Sequence, residues 1–101
     1  MNKYINDYNK LKEILTRKYG SPIKSDSRWF NDLYKNSPQH YGLAVSMGHL
    51  DFKSDWETDR TLIFLFLSGD NLEFYTGVVY TSKLHKELID KAEEKSQEQG
   101  L

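Results

Sequence analysis

Ser46, His49 and Asp51 are the residues of this chain whose types and spacing come nearest to catalysis. Ser46 lies in Ala44-Val45-Ser46-Met47-Gly48, which has the A-x-S-x-G spelling of a nucleophile elbow. An elbow needs its serine on a sharp strand-to-helix turn, where the hydroxyl can reach a base and a substrate. Here His49-Leu50-Asp51-Phe52 follows and reads as extended, and 101 residues are too few for an α/β-hydrolase. The spelling is therefore read as chance. His49 and Asp51 stand two apart, so on a strand they project to one side. With a third ligand they would suit a divalent metal, but the other histidines, His40 and His85, make neither H-x-x-x-H nor H-E-x-x-H spacing. A small enzyme or metal-binding protein using Ser46, His49 and Asp51 is kept as an alternative reading.

Asp55-Trp56-Glu57-Thr58-Asp59 spaces its acids as a calcium loop does. Such a loop wants glycine at its sixth position and a bidentate glutamate at its twelfth, where Arg60 and Phe66 stand. No glycine-rich phosphate cradle occurs. The expectation is no metal and no cofactor.

What remains is a concentration of aromatics. Eleven of the 14 fall within residues 29–80. Trp29, Phe30, Tyr34, Tyr41 and Trp56 lie close in sequence to Asp32, Asp55, Glu57 and Asp59. Aromatics within a polar rim make interaction surfaces. The same side chains would equally serve to seal the open side of a small sheet. The expected function is a non-catalytic binding protein acting through residues 29–59, with Trp29, Asp32, Tyr34, Asp55, Trp56, Glu57 and Asp59 as its contact residues. Small bacterial immunity proteins and phage-encoded inhibitors fill such roles, an analogy of size and character alone. A third reading is an assembly subunit of a homo-oligomer.

Charge and composition narrow the partners. Residues 1–28 carry +4, residues 29–80 carry −4 and residues 81–101 carry −1. A basic segment beside an acidic body is not a nucleic-acid footprint, so a protein partner is expected and no nucleic acid. There is no cysteine, which excludes disulfides and thiolate chemistry. No segment approaches the roughly 20 apolar residues of a spanning helix, and the amino terminus lacks an apolar signal core. A cytoplasmic protein with no membrane association is expected.

The elements follow from periodicity. Tyr4, Tyr8, Leu11 and Leu15, with Ile5 and Ile14 alongside, make one helical stripe over residues 3–19. Arg17 and Lys18 suit the carboxyl end of its dipole, Gly20 its C′ position, and Pro22 its stop. Residues 21–40 read as irregular. Residues 41–52 alternate weakly and read as a first strand, with Gly48 marking a bulge or a close backbone approach. Residues 53–60 read as a charged loop around Trp56. The run Thr61–Leu67 has no polar alternation and reads as a central strand covered on both faces, which would bury both Phe64 and Leu65. Ser68–Asn71 suits a hairpin into a third strand at 72–81. A last helix is expected from Ser82 to about Gln97, with residues 94–101 frayed. The sum is a single α+β domain over residues 1–101. It is a three-stranded antiparallel meander in the order 1-2-3, with an N-terminal and a C-terminal helix packed on it. Ala44, Ser46 and Gly48 leave the first strand's edge weakly protected, which favours a homodimer.

Overall fold

The stripe at the amino end folds as helix α1, Lys3–Tyr19, in the computed structural model, which describes residues 2–84. Tyr8 and Leu15 are buried, while Ile14 is exposed. The helix stops as its sequence dictates. Gly20 takes a φ of 88°, and its N–H donates to the Thr16 carbonyl at 2.8 Å.

The class is α+β, but the sheet has four strands, not three. They are β1 (Lys24–Trp29), β2 (Leu50–Glu57), β3 (Thr61–Asp70) and β4 (Glu73–Ser82), antiparallel in the order β1-β2-β3-β4. The unexpected strand is β1, within the stretch expected to be irregular. Its sequence, KSDSRW, has no apolar alternation because nearly all of it is exposed. Charge fixes its register instead. Lys24 stands opposite Asp55, Asp26 opposite Lys53 and Arg28 opposite Asp51, so three cross-strand pairs alternate in sign.

The expected first strand over 41–52 divides in two. Residues Tyr41–Ser46 form a short helix, α2, which follows the 3₁₀ turn Pro38–His40. Asn2 anchors both: its Oδ1 accepts from the Gly42 N–H at 2.8 Å, and its Nδ2 donates to the Pro38 carbonyl at 3.0 Å. Gly42, Ala44 and Ser46 are small enough to let α2 lie directly on the sheet. The expected loop at 53–60 is mostly β2, and only Thr58-Asp59-Arg60 turns into β3. Thr58 closes that turn by accepting the Thr61 N–H on its Oγ1 at 3.0 Å.

Helices α1 and α2 cover one face of the sheet. Tyr8, Leu15, Ala44 and Val45 pack there on Leu50, Trp56, Ile63, Leu65 and Leu67. Leu65 is fully buried, as expected. Phe64 is not, because it points to the opposite face and is only half-buried. Among the described residues no helix is long and apolar enough to cross a membrane. The expected C-terminal helix lies outside the described residues beyond Leu84.

One polar chain crosses the core. The Tyr8 hydroxyl lies 2.6 Å from Ser54 Oγ, which lies 2.9 Å from Ser25 Oγ. Burial pushes the Tyr8 phenol above its ordinary value, with the Ser54 hydrogen bond opposing. An unfolded tyrosine ionises near pH 10. Above that the unfolded chain releases this proton more readily than the folded one, so Tyr8 contributes a loss of stability as pH rises through the alkaline range. Tyr8→Phe is expected to cost about 1 kcal/mol at neutral pH and to flatten the alkaline decline. Urea unfolding of both proteins at neutral and alkaline pH measures both effects; equal alkaline slopes would contradict the account.

Candidate functional site

The face of the sheet away from the helices divides into two halves. On β1 and β2 it presents Lys24, Asp26, Arg28, Asp51, Lys53, Asp55 and Glu57, the ladder of alternating charge. On β3 and β4 it presents Leu62, Phe64, Phe66, Tyr75, Gly77, Val79 and Thr81. Strand alternation makes this division. The residues that fill the core are Ile63, Leu65 and Leu67, so the even-numbered residues of β3 must point the other way. None of the apolar residues of this face belongs to the core cluster.

The seam between the halves has defined geometry. Arg28 grips Asp51 with two hydrogen bonds, Nε to Oδ1 at 3.2 Å and Nη2 to Oδ2 at 3.0 Å. That carboxylate holds the guanidinium pKa above its ordinary value, chiefly by hydrogen bonding and then by charge. The Arg28 guanidinium also lies 5.1 Å from the ring centre of Phe30, which is 62 % exposed. Phe64 and Phe66 stack at 5.7 Å with planes 19° apart. Between these groups is a shallow hollow of about 210 Å³ bordered by Arg28, Asp51, Lys53, Phe64, Phe66 and Ser68.

The seven contact residues named from sequence do not form one surface. Trp29, Asp32 and Tyr34 gather at one end of β1. There Trp29 meets Tyr41 edge-on at 5.1 Å, and Tyr34 lies 5.5 Å from His40 and 6.0 Å from His49. Asp55, Glu57 and Asp59 lie at the far end of β2. Asp55 is five residues from Leu50, the register partner of Trp29, or roughly 17 Å along the strand. Glu57 there pairs with Lys83 at 2.9 Å. Trp56 is a core residue, 1 % exposed, with its indole N–H donating to the Gly20 carbonyl at 2.9 Å. Residues 53–60 were expected to be a loop around Trp56, which left open whether it was a contact residue or sealed the sheet; they are mostly β2, in which Trp56 takes the inward side.

Ser46, His49 and Asp51 are not brought together either. Ser46 is buried in α2, and its hydroxyl donates to the Leu43 carbonyl at 2.7 Å. The serine stands at a helix end before a turn, the reverse of the order an elbow needs. Asp51 is on the open face with Arg28, and His49 precedes β2 beside Tyr34. The buried Nδ1 of His49 has no hydrogen-bond partner among the described residues. Among those residues no three of His, Cys, Asp or Glu come together as a metal site would require.

Sequence reasoning missed Arg28, Phe64 and Phe66. The signal for the phenylalanines was their i,i+2 spacing within the apolar run, set beside Tyr75, Gly77 and Val79 at the same spacing in the next strand. Compared with protein-family models, curated proteins and solved structures, the chain matches none.

Proposed function

We propose that this chain is a non-catalytic binding protein whose docking surface is the open face of its sheet. One observation carries the reading: Phe64 and Phe66 stack beside Leu62 and Val79 on a face that no described helix covers. Apolar side chains at the centre and a charged flank are what a protein interface presents. The alternating ladder from Lys24 to Asp55 would then select and orient the partner rather than supply most of its affinity. Asp55 and Glu57 extend this surface, so part of the acidic stretch read from sequence belongs to it, while Trp56 supports it from beneath. A partner protein is the ligand class this surface fits. The separation of Ser46, His49 and Asp51 weighs against the enzyme alternative.

The test is capture from the native cell with mass spectrometry, comparing the wild type with Phe64→Ser/Phe66→Ser. A partner is expected with the wild type and not with the double variant. Circular dichroism should show the variant folded, since neither ring is part of the core cluster. A partner held equally by both proteins would place the docking surface elsewhere.

A further inference from the structure

The tip of the β3–β4 hairpin carries two features that stability alone does not explain. Asp70 and Glu73 flank a two-residue turn, Asn71-Leu72, whose φ values are both positive, 50° and 65°. A two-residue hairpin turn of that geometry favours Asn-Gly, because its second residue also takes the left-handed conformation. Asn71 suits its place. Leu72 does not, since a side chain in that conformation crowds its own backbone. The leucine returns nothing to the core, being 66 % exposed. Its N–H donates to the Ser46 carbonyl at 2.8 Å, a bond that glycine would make equally well. The second feature is charge. Asp70 and Glu73 are register partners, and like charges directly opposite each other weaken a pair. The Tyr75 hydroxyl donates to Glu73 at 3.1 Å, but it is a neutral donor and brings no positive charge. Neither carboxylate forms an ion pair among the described residues.

Met47 lies beside this tip. The stretch expected to be a strand edge open to a second copy of the chain is instead α2, with Ala44 and Ser46 buried, and Met47 emerges at its carboxyl end, 39 % exposed. Met47, Asp70, Asn71 and Leu72 border a hollow of about 400 Å³. Two exposed apolar side chains and a carboxylate without a counter-ion therefore share one concavity. It has no residue in common with the hollow of the open face. The ten residues of β4, roughly 33 Å of strand, separate it from Leu84, where the described chain ends.

We infer that this hollow receives an arginine side chain of a partner protein. The methylenes of the arginine lie along Leu72 and Met47, as long basic side chains do on apolar surface. Methionine adapts its shape to what it meets, so Met47 can close on the stem. The guanidinium meets Asp70 and offsets the repulsion between Asp70 and Glu73. Arginine suits this better than lysine, because its planar fork matches a carboxylate and is more weakly hydrated than an ammonium. Charge at longer range agrees. Residues 29–80, which supply the whole site, carry −4, a field that draws a basic segment. The strain at Leu72 then has a use: it presents an apolar wall at the tip, an exchange of stability for function of the kind that strained residues mark. This site is separate from the open face and does not depend on it.

The experiment titrates the full chain with propylguanidinium, the end of an arginine side chain, and follows the Met47 methyl and the amides of residues 70–72 by NMR. A saturable shift is expected, and propylurea, the uncharged analogue, should bind more weakly. Leu72→Gly should raise Tm by a few degrees, because it restores the favoured Asn-Gly turn. The same change should weaken binding about fourfold or more, the scale of one buried methylene. Asp70→Asn should weaken it about two- to fivefold, the range of an exposed ion pair. Phe64→Ser/Phe66→Ser should leave it unchanged, so this site and the open face stand or fall separately. A shift that never saturates, equal binding of propylurea, a fall in Tm for Leu72→Gly, or binding indifferent to both tip variants overturns the proposal.

Discussion

Trp56→Ala lowers the stability of this protein by about 3–5 kcal/mol, the range for removing a buried aromatic from a core. Two separate losses add. The first is volume: Trp56 is among the largest fully buried side chains and packs where α1 meets the sheet. The second is polar. Its indole N–H satisfies the carbonyl of Gly20, the residue that ends α1. Removing the donor leaves the carbonyl of Gly20, an exposed residue, to bond to water instead, so this second loss is the smaller one. Trp56→Phe separates the terms, because it keeps most of the ring and none of the N–H; it should cost distinctly less than the alanine variant. Natural domains of this kind have stabilities of roughly 5–15 kcal/mol, so Trp56→Ala removes a large share of the total. Urea unfolding followed by circular dichroism gives the figure. A loss below about 1 kcal/mol, the scale of ordinary surface substitutions, would mean that Trp56 is a surface residue and that β2 ends before it.

The fate of Trp56 shows how far the sequence could be read. Helix α1 was legible because its apolar residues repeat at helical spacing and its terminus carries Arg17, Lys18, Gly20 and Pro22. β3 and β4 were legible because their β-branched and aromatic runs are separated by a turn. Gly48 was read as a bulge or a close backbone approach within a strand; it lies between α2 and β2 rather than in a strand, and of the two readings the close approach holds, with a φ of 77° and a Cβ that would stand 3.2 Å from the Gly69 carbonyl oxygen. The failures have two physical causes. β1 is held by backbone pairing and alternating charge, which leave no apolar signature, whereas β2 does alternate, with Leu50, Phe52 and Trp56 inward, but Ser54 interrupts that stripe and charges flank it. Lys53, Asp55 and Glu57 look like a solvated loop because their face of the strand is open, while Ser54 and Trp56 between them fill the core. Apolar periodicity reports burial, and an exposed strand has none to report. The same limit hid the candidate surface. A run apolar on both sides implied cover on both sides, and Phe64 read as core, whereas the described helices, α1 and α2, lie on one face.

Gly69→Ala should be the most damaging single-methyl change, costing about 3 kcal/mol or more, at or beyond the upper end for overpacking. A Cβ on Gly69 would stand 2.2 Å from the Val45 carbonyl oxygen, 2.7 Å from the Glu73 carbonyl oxygen and 2.8 Å from Ser46 Cα. All three are backbone atoms, so no rotamer change relieves the contact. α2 would have to lift from the β3–β4 hairpin. Lifting it breaks the bond from the Leu72 N–H to the Ser46 carbonyl at 2.8 Å and opens the core where Ala44 and Val45 are fully buried. Gly77→Ala is the control. Its Cβ would meet only ring atoms of Phe66, at 3.2 and 3.3 Å, and that ring lies on the open face, where it can tilt. The two substitutions add the same methyl to the same sheet and differ in what the methyl meets. Thermal unfolding of both variants should therefore show a much larger fall in Tm for Gly69→Ala. Equal falls would mean that α2 does not lie on β3, and with it would go the reason why the described helices cover one face of this sheet and not the other.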